Sequence, residues 1–214
     1  MSETFEENEF KFSHPFTAII AGATMSGKTE FTKKLIENVN KMIHPFPQKI
    51  IFSYAEYQPS YDSLTNEKNV SFLNNLDFES DPEVRTLIII DDQMDTTMKS
   101  NSIQNLFIKG VHHRNVSVIL LNQNLFPQGK HGRDIRLNCH YYIVMKSPTL
   151  TSQVAYLNRQ IFPNNPTFLM DAYKKATVEP YSHLFINLHP LCNDKLRVRS
   201  GILPSESEFI FIPK

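Results

Sequence analysis

The chain has little of what marks several functional classes. It carries two cysteines, Cys139 and Cys192, with no Cys-x-x-Cys or Cys/His ligand spacing. Neither a disulfide framework nor a zinc site is expected, and a reducing compartment fits best. It has no net charge, with 22 basic and 22 acidic residues and a pI near 7.1. That excludes the global basic field of many nucleic-acid binders, so any such contact must be local. No apolar run approaches the ~20 residues needed to span a bilayer. The opening stretch, Met1 to Glu9, is acidic where a signal peptide is basic and then apolar. There is no internal repeat and no low-complexity tract. The expectation is an intracellular chain with no membrane segment.

What is present is enough for one sizeable core: 214 residues, 41% of them hydrophobic. The expected division is a flexible acidic tail over 1–13, a core over 14–180 and a C-terminal β extension over 181–214 packed on that core. Phe16 to Ala21 is a continuous apolar run ending at Gly22, as a strand buried on both faces requires. Similar runs at 49–53, 86–90, 116–121 and 141–146 predict further strands. Between Tyr57 and Val84 the pattern is irregular, with one weak strand or helix at 70–73. Helices are predicted after Gly27, over about 100–113, at 151–161 and at 166–176. Apolar segments at 184–188, 196–198 and 209–212, separated by Pro190, Gly201 and Pro204, predict a small β meander. Strands alternating with helices give an α/β fold with a mainly parallel central sheet flanked by helices.

Residues 22–29 read Gly22-Ala23-Thr24-Met25-Ser26-Gly27-Lys28-Thr29 between the first strand and an amphipathic helix. Glycines at these positions let backbone N–H groups curl around phosphate oxygens, and the following helix offers unpaired donors and a positive dipole end. Lys28 would neutralise the β- and γ-phosphates of ATP, and the Thr29 hydroxyl would be a ligand of Mg²⁺. The pair Asp91-Asp92 ends the strong strand at 86–90, where a carboxylate can meet the phosphate loop. Asp91 is the candidate for the Mg²⁺ shell and Asp92 for the base that orients the attacking water. Gln123 ends the next apolar strand and is the candidate γ-phosphate sensor. A strand with a polar tip, inserted between the loop strand and the acidic strand, is the RecA-like additional-strand layout of translocases and helicases. Simple nucleotide kinases commonly place those two strands side by side.

From Lys109 to Lys146 the chain has Lys109, Arg114, Lys130, Arg133, Arg136 and Lys146 against a single acid, Asp134. This is the local footprint of phosphate contact, with DNA backbone or with a neighbouring subunit's nucleotide. Arg114, just before the sensor strand, could stabilise a transferring phosphoryl group in trans; Arg133 and Arg136 could do so instead, or contact DNA.

Several segments together resemble the poxvirus-type genome-packaging ATPases of the FtsK–HerA translocase group, found in large DNA viruses, virophages and polinton-like or adintovirus-like elements. They are the phosphate loop, Ile-Ile-Ile-Asp-Asp at 88–92, His-His-Arg-Asn-Val-Ser-Val-Ile at 112–119, Asn-Gln-Asn-Leu-Phe-Pro-Gln-Gly-Lys at 122–130 and Arg-Asp-Ile-Arg-Leu-Asn-Cys-His-Tyr at 133–141. The resemblance covers roughly residues 14–160. It implies a homo-oligomeric ring of about five or six subunits that uses ATP and Mg²⁺ to pull double-stranded DNA into a capsid. A capsid vertex or portal protein is the implied partner, and the host cell, or the virion itself, the implied location. In that group Lys28, Thr29, Asp91, Asp92, Gln123 and Arg114 match the loop, acidic-pair, sensor and finger positions. Many relatives have Asp-Glu where this chain has Asp91-Asp92. A P-loop nucleotide kinase and a nucleotide-dependent assembly scaffold are the alternative readings.

Overall fold

The computed structural model describes residues 4–5, 10–65, 69–74, 81–91, 101–110 and 115–213. Strands β1 (Thr4–Phe5), β2 (Phe12–Ser13), β3 (Thr17–Ala21), β4 (Ile43–His44), β5 (Lys49–Tyr54), β6 (Val70–Leu73), β7 (Thr86–Asp91), β8 (Val116–Asn122), β9 (Tyr141–Met145), β10 (His183–Asn187), β11 (Val198–Ser200) and β12 (Glu208–Phe211) follow one another along the chain. The helices are α1 (Lys28–Glu37), α2 (Val39–Met42), α3 (Asn101–Asn105), α4 (Gly132–Leu137), α5 (Thr151–Ile161) and α6 (Phe168–Ala176).

Ten of these strands form one sheet in the order β1-β12-β11-β10-β9-β3-β8-β7-β5-β6. From β9 to β6 every pairing is parallel, with β3 between β9 and β8. β8 therefore separates the phosphate-loop strand from the acidic strand, as the additional-strand layout requires. The C-terminal meander, β10 to β12, pairs antiparallel within itself and joins the edge of β9, so it continues the central sheet.

The continuous apolar runs are explained by burial on both faces. Ile19, Ile88, Ile90, Val118 and Leu120 point to one side, under α3, α5 and α6. Ala18, Ile20, Leu87, Ile89, Ile119 and Leu121 point to the other, under α1. Each such Ile or Leu contributes about 1.5–3 kcal/mol of burial. Together they hold the C-terminal ends of β3, β8 and β7 on one level.

Two expectations need correction. The acidic segment 1–13 is not a free tail where it is described: β1 pairs with β12, β2 pairs with β4, and Phe10 and Phe12 are buried. The Phe10 and Phe12 rings pack against each other and against Tyr141 and Phe185, mostly edge-on. The helix expected over 100–113 is α-helical only to Asn105 and widens to a π turn over Leu106–Gly110. Residues 111–113 lie outside the described residues.

Candidate functional site

The phosphate loop leaves β3 at Gly22, whose N–H donates to the Asn122 carbonyl at 3.1 Å, tying the loop to the tip of β8. Glycine is required there: a Cβ would stand 2.2 Å from Ser26 Oγ and 2.8 Å from Met145 Cβ. Met25 (φ 64°) and Gly27 (φ 100°) are both left-handed, the kind of backbone from which anion-binding nests are built. Such a backbone is easy for glycine and strained for methionine. Met25 is 88% exposed at the apex, so nothing in the interior calls for it. Helix α1 then begins at Gly27 with no side-chain cap. A helix start with no cap, beside converging N–H groups, is an anion-binding arrangement.

Lys28 Nζ crosses the loop and donates to the carbonyls of Gly22 at 2.8 Å and Ala23 at 3.0 Å. These bonds hold the ammonium over the cradle formed by Gly22, Ala23, Thr24, Met25, Ser26 and Gly27. Ser26 Oγ is buried with no hydrogen-bond partner. A buried hydroxyl of this kind calls for a polar ligand at the loop.

Asp91 is the last residue of β7 and is 4% exposed. Its Oδ2 accepts from the Thr29 hydroxyl at 3.4 Å and from the Tyr61 hydroxyl at 2.8 Å. The loop threonine and the acidic strand thus meet across the tip of β8. Their donors are all oxygens, the set that suits Mg²⁺. Tyr61, on a short 3₁₀ segment at Pro59–Leu64, is a site residue that motif reading missed. No spacing rule links it to Asp91, and only the return of the chain after β5 brings them together.

Gln123 follows β8 directly and is exposed on the same edge as the loop. Beside it, Asn122 is buried; its Nδ2 donates to the Asn124 carbonyl at 2.7 Å while its Oδ1 has no partner. Asp92 and Arg114 lie outside the described residues.

A second cleft, of about 460 Å³, opens beyond the tip of β8 and is lined by Phe126, Gln128, Arg133, Arg136, Ser152 and Tyr156 among others. Among the described residues, no carboxylate lines it. The Arg136 guanidinium sits 5.3 Å from the Phe126 ring centre, and Arg133 is exposed. Asp134, the acid nearest in sequence, accepts from Gln104 Nε2 at 2.6 Å. The 124–126 segment is held by Gln153, which accepts from Leu125 N at 2.8 Å and donates to Asn124 Oδ1 at 3.0 Å. Arginines facing an opening to which no described residue brings an acid suit a phosphate ester.

No family model matches the chain, and no curated protein matches it. Solved structures do. The genome packaging NTPase B204 from Sulfolobus turreted icosahedral virus 2, in complex with ATP-gammaS, aligns over 93% of this chain and 98% of its own, with a TM-score of 0.54 and 16% identity. The fold is that of a P-loop NTPase. The cytoplasmic domain of EssC aligns over 92% of this chain and 38% of its own, with a TM-score of 0.55 and 13% identity. The cytoplasmic domain of the Type VII secretion ATPase EccC from Thermomonospora curvata aligns over 92% and 25%, with a TM-score of 0.53 and 14% identity. At these identities the likeness is one of fold.

Proposed function

We propose that this chain is an ATP-hydrolysing motor that moves double-stranded DNA into a viral capsid, acting as a homo-oligomeric ring. The observation that carries the reading is the insertion of β8 between β3 and β7, with Thr29 and Asp91 meeting across its tip. That order supports a motor over a nucleotide kinase, in which the two strands commonly lie side by side. The sequence resemblance over 14–160 and the likeness in fold to a viral genome packaging NTPase support the DNA-packaging reading.

In this reading Lys28 neutralises the β- and γ-phosphates while the N–H groups at the start of α1, from Gly27 to Thr29, hold their oxygens. Thr29 and Asp91 would hold Mg²⁺, which supplies positive charge against the oxygens of the transferring phosphoryl group. Tyr61 fixes the Asp91 carboxylate. Asp92 orients the attacking water and Gln123 senses the γ-phosphate. Arg114 reaches the nucleotide of the adjacent subunit, and Arg133 and Arg136 contact either DNA backbone or that same nucleotide. The capsid vertex or portal is the docking partner, inside the infected cell or in the virion.

Product analysis with mass measurement tests this. The motor releases inorganic phosphate and assembles into a ring, and mixing Arg114→Ala with Lys28→Ala subunits restores part of the lost hydrolysis. Phosphate transfer to a nucleoside monophosphate by a monomer or dimer would establish the kinase reading instead. Packaging that survives Lys28→Ala and Asp92→Asn would establish the scaffold.

A further inference from the structure

The turn between α6 and β10 lies beside the phosphate loop for a topological reason. β9 runs parallel to β3, so its end at Met145 reaches the edge where the loop emerges. β10 runs antiparallel to β9 and begins, at His183, on that same edge. The intervening residues 177–182 therefore cross the sheet edge at the loop. Tyr181 in this turn is in contact distance of the loop's second glycine: a Cβ on Gly27 would stand 3.1 Å from Tyr181 Cδ1.

Three observations bear on Tyr181. It is 67% exposed, although it is a large aromatic residue. Its φ is 63°, a left-handed backbone that is strained for a bulky side chain. The turn is already fastened without its ring: Lys146 Nζ donates to the Val178 carbonyl, Lys146 N to the Ser182 carbonyl at 3.0 Å, and Thr177 Oγ1 to the Tyr173 carbonyl at 2.7 Å. An open aromatic face is thus held by the Glu179–Ser182 turn against the residue from which α1 starts. At that same loop the buried Ser26 Oγ has no partner.

We infer that Tyr181 is the platform on which the nucleobase of the bound triphosphate stacks. The assignment rests on the reading of residues 22–29 as a triphosphate site and names the part of the ligand beyond the phosphates. An aromatic face accepts any base, because every base has a π-face. The platform therefore favours a nucleoside triphosphate over an inorganic polyphosphate and discriminates weakly between ATP and GTP.

The test compares ATP with inorganic tripolyphosphate, which can fill the loop but carries no base. Tyr181→Ala is expected to bind ATP roughly tenfold more weakly, the usual size of one base-stacking contact. Its affinity for tripolyphosphate is expected to be unchanged. Tyr181→Gly, for which a positive φ is unstrained, should behave likewise and covers the case in which the alanine variant fails to fold. The chain has no tryptophan, so Tyr181→Trp places a single emitter at the platform. ATP should change its emission, and tripolyphosphate should reverse that change by displacement without producing one of its own. Unaltered ATP affinity in Tyr181→Ala and Tyr181→Gly would overturn the assignment. So would an equal loss for tripolyphosphate, which would mean that the ring only braces the loop. If the unaltered chain bound neither ligand, the triphosphate reading itself would fall, and this assignment with it.

Discussion

Replacing Tyr61 by phenylalanine removes one oxygen and tests whether the Asp91 carboxylate is held by its surroundings. Tyr61 is 1% exposed, and its ring packs 4.8 Å from that of Phe52 and 6.2 Å from that of Phe72. Phenylalanine keeps that packing and loses the 2.8 Å bond to Asp91 Oδ2. A hydrogen bond to a charged acceptor is worth about 1.5–3 kcal/mol, and a site closed to water offers no substitute. For a chain of this size that corresponds to a melting temperature lower by roughly 3–12 °C. The functional effect should be separable from the loss of stability. With this hydrogen bond gone, the Asp91 carboxylate is held less tightly, so the Mg²⁺ concentration for half-maximal hydrolysis should rise several-fold. Nucleotide binding measured in EDTA should not change, because Lys28 and the loop N–H groups are untouched. Calorimetry and a Mg²⁺ titration of phosphate release read the two effects. An unchanged melting temperature together with an unchanged Mg²⁺ requirement would refute the claim that Tyr61 positions Asp91.

Three further outcomes follow from buried groups. Gly22→Ala must displace both Ser26 Oγ and Met145 Cβ, a strain of about 1–3 kcal/mol, and should weaken ATP binding in equilibrium titration; unaltered binding would mean that the loop is not closely packed. Burial, and then the Lys34 ammonium, push the His183 imidazole down to about 4 from 6.5. The unfolded chain therefore binds a proton that the native one refuses, and stability falls as pH drops from about 6.5 to about 4, by roughly 3 kcal/mol in all. His14, lowered chiefly by burial, acts in the same sense, while Glu206, raised chiefly by burial, acts against it. His183→Leu should flatten the melting temperature against pH in that window, and an equally steep profile would contradict the assignment. Glu208→Leu strands the Arg199 guanidinium, which it meets at 2.6 Å in a buried pair. Thermal melting should show a loss of about 3–5 kcal/mol, most of it recovered by adding Arg199→Met; full stability in the single variant would show that the pair contributes nothing.

Much of the parallel half of the fold was legible because strands buried on both faces leave unbroken apolar runs. Helix α5 was likewise legible from its 3.6-residue period. The phosphate loop was legible because its chemistry is local: glycines, lysine and threonine must be contiguous to surround a phosphate. The order β3-β8-β7 could be anticipated from the polar tip after β8. Tyr61 and Tyr181 were not legible, because each meets the site through chain returns that no local pattern encodes. Phe10 and Phe12 were hidden by the glutamates around them. The antiparallel junction of β10 with β9 escaped because a meander's apolar segments do not show which strand they will join.

The most direct test of the central claim is the rate of phosphate release by the full chain with Mg²⁺ and ATP, with and without linear double-stranded DNA, beside Lys28→Ala. Hydrolysis that DNA accelerates in the unaltered chain and that Lys28→Ala lacks under both conditions is the predicted result. A rate indifferent to DNA, or one that persists in Lys28→Ala, would contradict it.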